Sequence, residues 1–358
     1  MIATEIFDIL LLLALAIALA KILGHVFDKL KQPAVIGEIL AGVVLGGLSL
    51  ISFSGQIFSY DFSFSLSLLN FDSEEFKLLA EIGILFMLFI SGLQTNFYKL
   101  KKMEKASSFV AVGGVLLPLL LGFLVSLVFF SVKDSIIIGL ILTATSVGVT
   151  VRTLIDMHKL NTDVGATILG GAVIDDILGI ILLAFVLGIG SLIEAVWIGV
   201  RIAMFFLVFL YIGLKVIDKI LDLGEKIHLP KAFLSISISI LLLYSFFAYK
   251  AGIAGIIGAF VAGILIGQNV RSRKIVDDVE AIGYGFFIPL FFVWIGASLW
   301  MGTSIDISHL TYIGLPALLI IVVAIAGKMI GCGIGAKISG MKNIESLQIG
   351  VGMIPRME

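Results

Sequence analysis

Two adjacent carboxylates, Asp175 and Asp176, lie in the run Gly170-Gly171-Ala172-Val173-Ile174-Asp175-Asp176-Ile177-Leu178-Gly179, about fourteen residues into a long apolar stretch. A charge at that depth in hydrocarbon costs at least ~2.5–3.5 kcal/mol, so such residues line an aqueous path or pair with an opposite charge. Neighbouring residues point about 100° apart around a helix, so the two aspartates need not share a partner. One can hold an ion pair while the other faces water. The sequence supplies a counter-charge, Lys328, within Ile325-Ala326-Gly327-Lys328-Met329-Ile330. Burial drives a lone carboxylate or ammonium towards its neutral form, whereas pairing favours both charged forms, so the states of the lysine and its aspartate are coupled.

A second set of groups could break a helix beside the pair. Thr143-Ala144-Thr145-Ser146-Val147-Gly148-Val149-Thr150 is rich in hydroxyls, and Gly350-Val351-Gly352-Met353-Ile354-Pro355-Arg356 carries Gly and Pro inside an apolar run. Backbone freed at membrane depth is tolerated where it lines a cavity or is buried in protein. Thr145 and Ser146 then offer oxygens that suit a hard cation such as Na⁺ beside the aspartate pair, by analogy with Ca²⁺ sites, and Thr143 is a structural or gating candidate. The bland alternative is that these hydroxyls bond back to their own helix carbonyls. Glu38, one turn after Pro33, either complements a helix N-terminus or takes part in gating. Arg356 and Glu358 form a candidate second intramembrane pair. His25, His158, His228 and His309 fall in loops or span ends and make no metal-ligand cluster. No nucleophile–base set is visible, which argues against an enzyme and against any cofactor. Cys332, the single cysteine, excludes an intrachain disulfide.

The elements that must position these groups follow from composition. The chain is 60% hydrophobic and 14% charged, against about 25% charged in an ordinary soluble domain, and its mean hydropathy is +1.18. Apolar runs long enough to cross hydrocarbon as helices fall near residues 5–23, 33–51, 78–97, 106–131, 134–155, 162–189, 195–217, 229–249, 251–269, 281–301, 309–336 and 343–358. The expectation is one all-α, polytopic membrane domain over 1–358, with twelve spans. The first run follows Glu5 and Asp8 without a basic region or cleavage site, so it reads as a retained span. Alternate loops hold eighteen Lys and Arg on one side and four on the other. The positive-inside rule then puts the N-terminus outside. The net charge of −1 gives no reason to expect a nucleic acid partner.

An internal repeat organises the spans. Ile36-Gly37-Glu38-Ile39-Leu40-Ala41-Gly42-Val43-Val44-Leu45-Gly46 and Ile257-Gly258-Ala259-Phe260-Val261-Ala262-Gly263-Ile264-Leu265-Ile266-Gly267 are identical at five of eleven positions. The second and ninth spans are seven apart, and an odd separation reverses a helix in the membrane. Inverted repeats of about 5–189 and 229–358, joined by a linker helix near 195–217, are a signature of secondary transporters. The scheme pairs the sixth span with a thirteenth, so the final Met353 to Glu358 is expected to stop inside a helix of a longer chain.

Pro33 to Gly42, Thr143 to Thr150, Asp175-Asp176, Lys328 and Gly352 to Arg356, in this order, resemble the cation:proton antiporter 2 family, which contains NapA-type sodium/proton and Kef-type potassium/proton antiporters. The resemblance implies a thirteen-helix, inverted-repeat antiporter fold with a dimerisation domain, a mobile core domain and two crossed, partly unwound helices, here the fifth and twelfth spans. It implies Asp176 as carrier of Na⁺ and H⁺, Asp175 as partner of Lys328, and a homodimer in the lipid bilayer of the cell membrane. The double aspartate resembles the electrogenic sodium/proton branch working by alternating access. K⁺/H⁺ exchange on the same fold and a gated monovalent-cation channel or sensor stand as alternatives, with Li⁺ or K⁺ as further cations. Gln94 stands where many relatives have Glu, and Met357 where Gly is common.

Overall fold

A computed structural model describes residues 2–50, 52–57, 60–65, 69–186, 192–226, 229–269, 272–301 and 307–356. The helices are α1 (Ile2–Lys29), α2 (Ala34–Ser49), α3 (Glu74–Gln94), α4 (Phe97–Lys102), α5 (Glu104–Ser126), α6 (Val132–Ile141), α7 (Val147–Asp156) and α8 (Asp163–Val186). They continue as α9 (Leu192–Lys226), α10 (Ala232–Lys250), α11 (Gly255–Gly267), α12 (Arg273–Ile282), α13 (Ile288–Ser298), α14 (Ile307–Ile338) and α15 (Asn343–Gly352). A π-helical turn over Gly283–Phe287 joins α12 to α13. Between α2 and α3 the strands β1 (Ser52–Ile57) and β2 (Tyr60–Ser65) pair antiparallel, Ser52 opposite Ser65. The architecture is all-helical, as expected, apart from this short hairpin, in a segment whose alternating Ser and Phe carry the period of a strand.

Eight helices among the described residues are long and apolar enough to cross a membrane. The apolar α2 and α11 are shorter. The expected fifth span is interrupted: α6 ends at Ile141, and α7 starts only at Val147.

The chain divides into two compact units, Met1–Met87 with Asp277–Ile305, and Leu88–Val276 with Asp306–Glu358. In the first, Leu12 and Ala16 of α1, Ala41 and Leu45 of α2, and Leu290 and Val293 of α13 form the core. Helices in lipid gain little from burying apolar surface against each other, so close packing by small residues has to hold them. A Cβ on Gly42 would lie 2.0 Å from Val293 O, and one on Gly296 2.0 Å from Ile39 O. The Trp300 indole N–H donates to Val43 O at 2.8 Å.

The second unit uses the same device. Of the glycines shared by the two repeated segments, Gly37 seats against Leu23 of the preceding helix and Gly42 against α13. Gly258 seats against Tyr244 of the preceding helix, and Gly263 against Phe89 at the end of α3. The densest crossing is α5 on α14, where a Cβ on Gly113 would lie 2.2 Å from Gly331 O and one on Gly331 equally close to Gly113 O. That approach brings Lys328 beside Gly114.

Candidate functional site

Four elements converge on one buried ammonium. Lys328, on α14, is fully buried, and its Nζ lies 2.6 Å from Asp175 Oδ2 of α8. The same Nζ donates to Gly114 O of α5 at 3.0 Å and to Thr143 O at the end of α6. A lysine ammonium has three donors, and these three acceptors use all of them. For the ammonium, the desolvation cost is met by a complete set of acceptors.

The break between α6 and α7 makes this possible. Thr143 N and Ala144 N close tight turns onto Leu140 O and Ile141 O, and the helix then stops, leaving Thr143 O free to accept from Lys328. A cation at the C-terminal end of a helix is also favoured by the helix dipole. Two residues on, Thr145 Oγ1 donates to Asp175 Oδ2 at 2.6 Å. Ser146 caps α7, its hydroxyl accepting from Val149 N at 3.4 Å. Thr143 Oγ1 turns back to Leu140 O at 2.7 Å, the bland arrangement for a helical hydroxyl.

The end of α15 supplies the other side of the break. Ser146 N donates to Pro355 O at 2.9 Å, and Thr150 Oγ1 donates to Gly352 O at 3.3 Å. Two interrupted segments therefore satisfy each other's backbone groups, as membrane depth requires. Arg356 Nη2 donates to Ala324 O at 3.0 Å. Beside this crossing is a cavity of about 470 Å³, lined by Ile138 and Leu142, Ile321 and Ala324, Ile354 and Arg356 among others. Its lining is apolar except for Arg356, so it offers no oxygen cage for a cation.

Asp175 and Asp176 differ in surroundings. Asp175 is buried and its Oδ2 serves Lys328 and Thr145, while its Oδ1 accepts no hydrogen bond among the described residues. Asp176, one residue on, is half-buried. Helix α8 is fixed at its start: Asp163 lies 3.4 Å from Lys99 and 3.6 Å from Lys102. The Asn161 side chain donates to Gln94 O and accepts from Asn96 N.

The structure thus brings together Asp175, Lys328, Thr143, Thr145 and Ser146, with Asp176 adjacent in sequence. Glu38 belongs to the other unit, buried on α2, with Lys21 of α1 3.7 Å away. α1 runs through Lys29, so Lys21 sits in a helix rather than in the loop where charge counting placed it. Glu358 lies outside the described residues. The carbonyls of Gly114 and Thr143 were not legible as partners, because a main-chain oxygen carries no side-chain signature. The Gly113-Gly114 pair opposite a glycine-rich lysine helix is the nearest sequence signal.

Among the described residues, eight helices long and apolar enough to cross a membrane, two interrupted segments and a buried ion pair at their meeting point define a multi-pass membrane protein of the ion-transporter class. Residues 12–358 match the family described as sodium/hydrogen exchanger, transmembrane, and the chain belongs to that family. It is 35% identical over 342 residues to the probable Na⁺/H⁺ antiporter GerT of Bacillus cereus, covering 94% of this chain and 85% of that protein. It is 35% identical over 353 residues to a Na⁺/H⁺ antiporter of Enterococcus hirae, covering 97% and 86%. It is also 33% identical over 355 residues to the Na⁺/H⁺-K⁺ antiporter GerN of Bacillus cereus, covering 98% and 86%. The sodium proton antiporter MjNhaP1 of Methanocaldococcus jannaschii shares the fold, with a TM-score of 0.64 at 21% identity over 98% of this chain and 85% of that one.

Proposed function

We propose that the chain exchanges Na⁺ for H⁺ by alternating access, with Asp176 as the shared carrier and Asp175 held by Lys328. The observation that carries this division is the commitment of Asp175 Oδ2 to both Lys328 and Thr145, beside a half-buried Asp176. A carboxylate that must be protonated or cation-bound before the barrier moves gives obligatory exchange, because the bare charge is costly to carry through hydrocarbon. Na⁺ on Asp176 takes further oxygens from the break, Thr145 and Ser146 among them. Release of Asp175 from Lys328 on protonation adds a second proton to the cycle. Two H⁺ for one Na⁺ moves one net charge, ~2.3 kcal/mol per 100 mV.

The same reading takes the chain as twelve spans of a thirteen-helix fold, in two inverted repeats about a linker helix, with dimerisation and core domains. It places a homodimer in the cell membrane, N-terminus outside. The matched glycine contacts of α2 and α11 support the repeat. Glu38 and Arg356 serve packing or gating.

K⁺/H⁺ exchange is the second reading, favoured by the likeness to GerN, whose name includes K⁺. Dequenching of a pH dye in proteoliposomes by Na⁺, Li⁺ and K⁺ separates the two. A Na⁺ response well above K⁺ is expected, and a larger K⁺ response would transfer the assignment. Passive current reversing at one ion's Nernst potential, without proton coupling, would replace both with a channel.

A further inference from the structure

The pairings of Gly113 with Gly331 and of Gly335 with Phe109 O show that α5 and α14 run antiparallel, backbone against backbone. At about 100° per residue, Gly114 of α5 and Lys328 and Cys332 of α14 fall on one side of this crossing. There Gly114 O accepts from Lys328. Stepping the other way from the same glycines places Phe109, Val112 and Leu116 of α5, with Ile330 and Ile334 of α14, on the opposite side. All five are exposed. Gly113 and Gly331 lie between the two rows, each seated against the other's backbone, so the floor there is main chain. The result is a shallow apolar groove on the back of the helix pair that carries the ammonium site.

Both rows end in cations at the same level. One turn beyond Phe109 is Lys105, and three residues beyond Ile334 is Lys337; both are exposed. Lys101, also exposed, lies a further turn out along α4. Lys99 and Lys102 are engaged by Asp163, whereas no ion pair to Lys101, Lys105 or Lys337 is found among the described residues. Glu104 is the acidic neighbour in sequence. An apolar channel as long as two or more helical turns, closed at one end by unengaged cations, matches an acyl chain joined to an anionic headgroup.

We propose that this groove binds an anionic phospholipid, its phosphate between Lys105 and Lys337 and an acyl chain on the glycine floor between Leu116 and Ile334. A zwitterionic lipid satisfies the apolar rows but leaves the lysines uncompensated. The test is native mass spectrometry of the full chain released from nanodiscs of equal phosphatidylglycerol and phosphatidylcholine, reading the ratio of the two retained lipids. The wild type is expected to retain phosphatidylglycerol in preference. Lys105→Ala and Lys337→Ala should each reduce that preference about fivefold, Lys105→Arg with Lys337→Arg should keep it, and Lys215→Ala with Lys219→Ala on α9 should not change it. Retention of the two lipids in nanodisc proportion by the wild type would overturn the proposal, whatever the variants do. So would an unchanged preference in the Lys105→Ala/Lys337→Ala protein.

Discussion

Lys328 Nζ and Asp175 Oδ2 lie 2.6 Å apart with both side chains buried, and the ammonium's other hydrogens go to the carbonyls of Gly114 and Thr143. Removing one partner of such a pair leaves a buried charge uncompensated, which costs roughly 3–5 kcal/mol, whereas replacing both by apolar groups is often neutral. Lys328→Met should therefore lower the thermal midpoint in detergent strongly. Lys328→Met combined with Asp175→Leu should recover most of it. Equal midpoints for the single and double variants would contradict a compensated pair.

The hydroxyls of the break should differ in importance. Thr145 donates to the buried carboxylate at 2.6 Å, and a hydrogen bond to a charged group contributes about 1.5–3 kcal/mol. The Thr143 hydroxyl instead donates to its own helix carbonyl, Leu140 O. Thr145→Val should destabilise the protein and impair Na⁺-dependent proton flux, with Thr145→Ser restoring both. Thr143→Val should stay within about 1 kcal/mol of wild type. Thermal unfolding and proteoliposome flux on the three variants check the order.

The glycine crossing predicts a steep local contrast. A methyl on Gly331 meets backbone, at 2.2 Å from Gly113 O, and overpacking of that kind costs about 1–3 kcal/mol or more. At Gly199 a Cβ would find nothing within 4 Å, and Gly to Ala inside a helix gains about 0.5–1 kcal/mol. Gly331→Ala should lower the unfolding midpoint, and Gly199→Ala should hold or raise it.

Much of this arrangement was legible in the sequence because charges are rare at membrane depth. Asp175, Asp176 and Lys328 stood out against apolar neighbours, and their spacing around a helix already allowed one aspartate to be paired and the other wet. The hydroxyl and Gly-Pro stretches marked the interruptions between α6 and α7 and after α15, since a continuous helix has no use for them. Other partners were hidden. Gly114 O and Thr143 O act through the main chain, which every residue shares. Lys21, near the end of the span expected over 5–23, was counted with the loop cations that follow it, whereas the hydrogen-bond ladder of α1 continues to Lys29. The β1–β2 hairpin lay in a Phe- and Ser-rich stretch that apolar counting treats only as a polar interruption.

Asp176 as the carrier is tested most directly by Na⁺-dependent proton flux in proteoliposomes of Asp176→Asn, with folding verified by a monodisperse elution profile and Asp175→Asn measured in parallel. Flux at the level of empty liposomes is expected for Asp176→Asn, with residual exchange in Asp175→Asn combined with Lys328→Met. Near-normal flux in Asp176→Asn, with loss only when Asp175 is changed, would contradict the assignment and exchange the roles of the two aspartates.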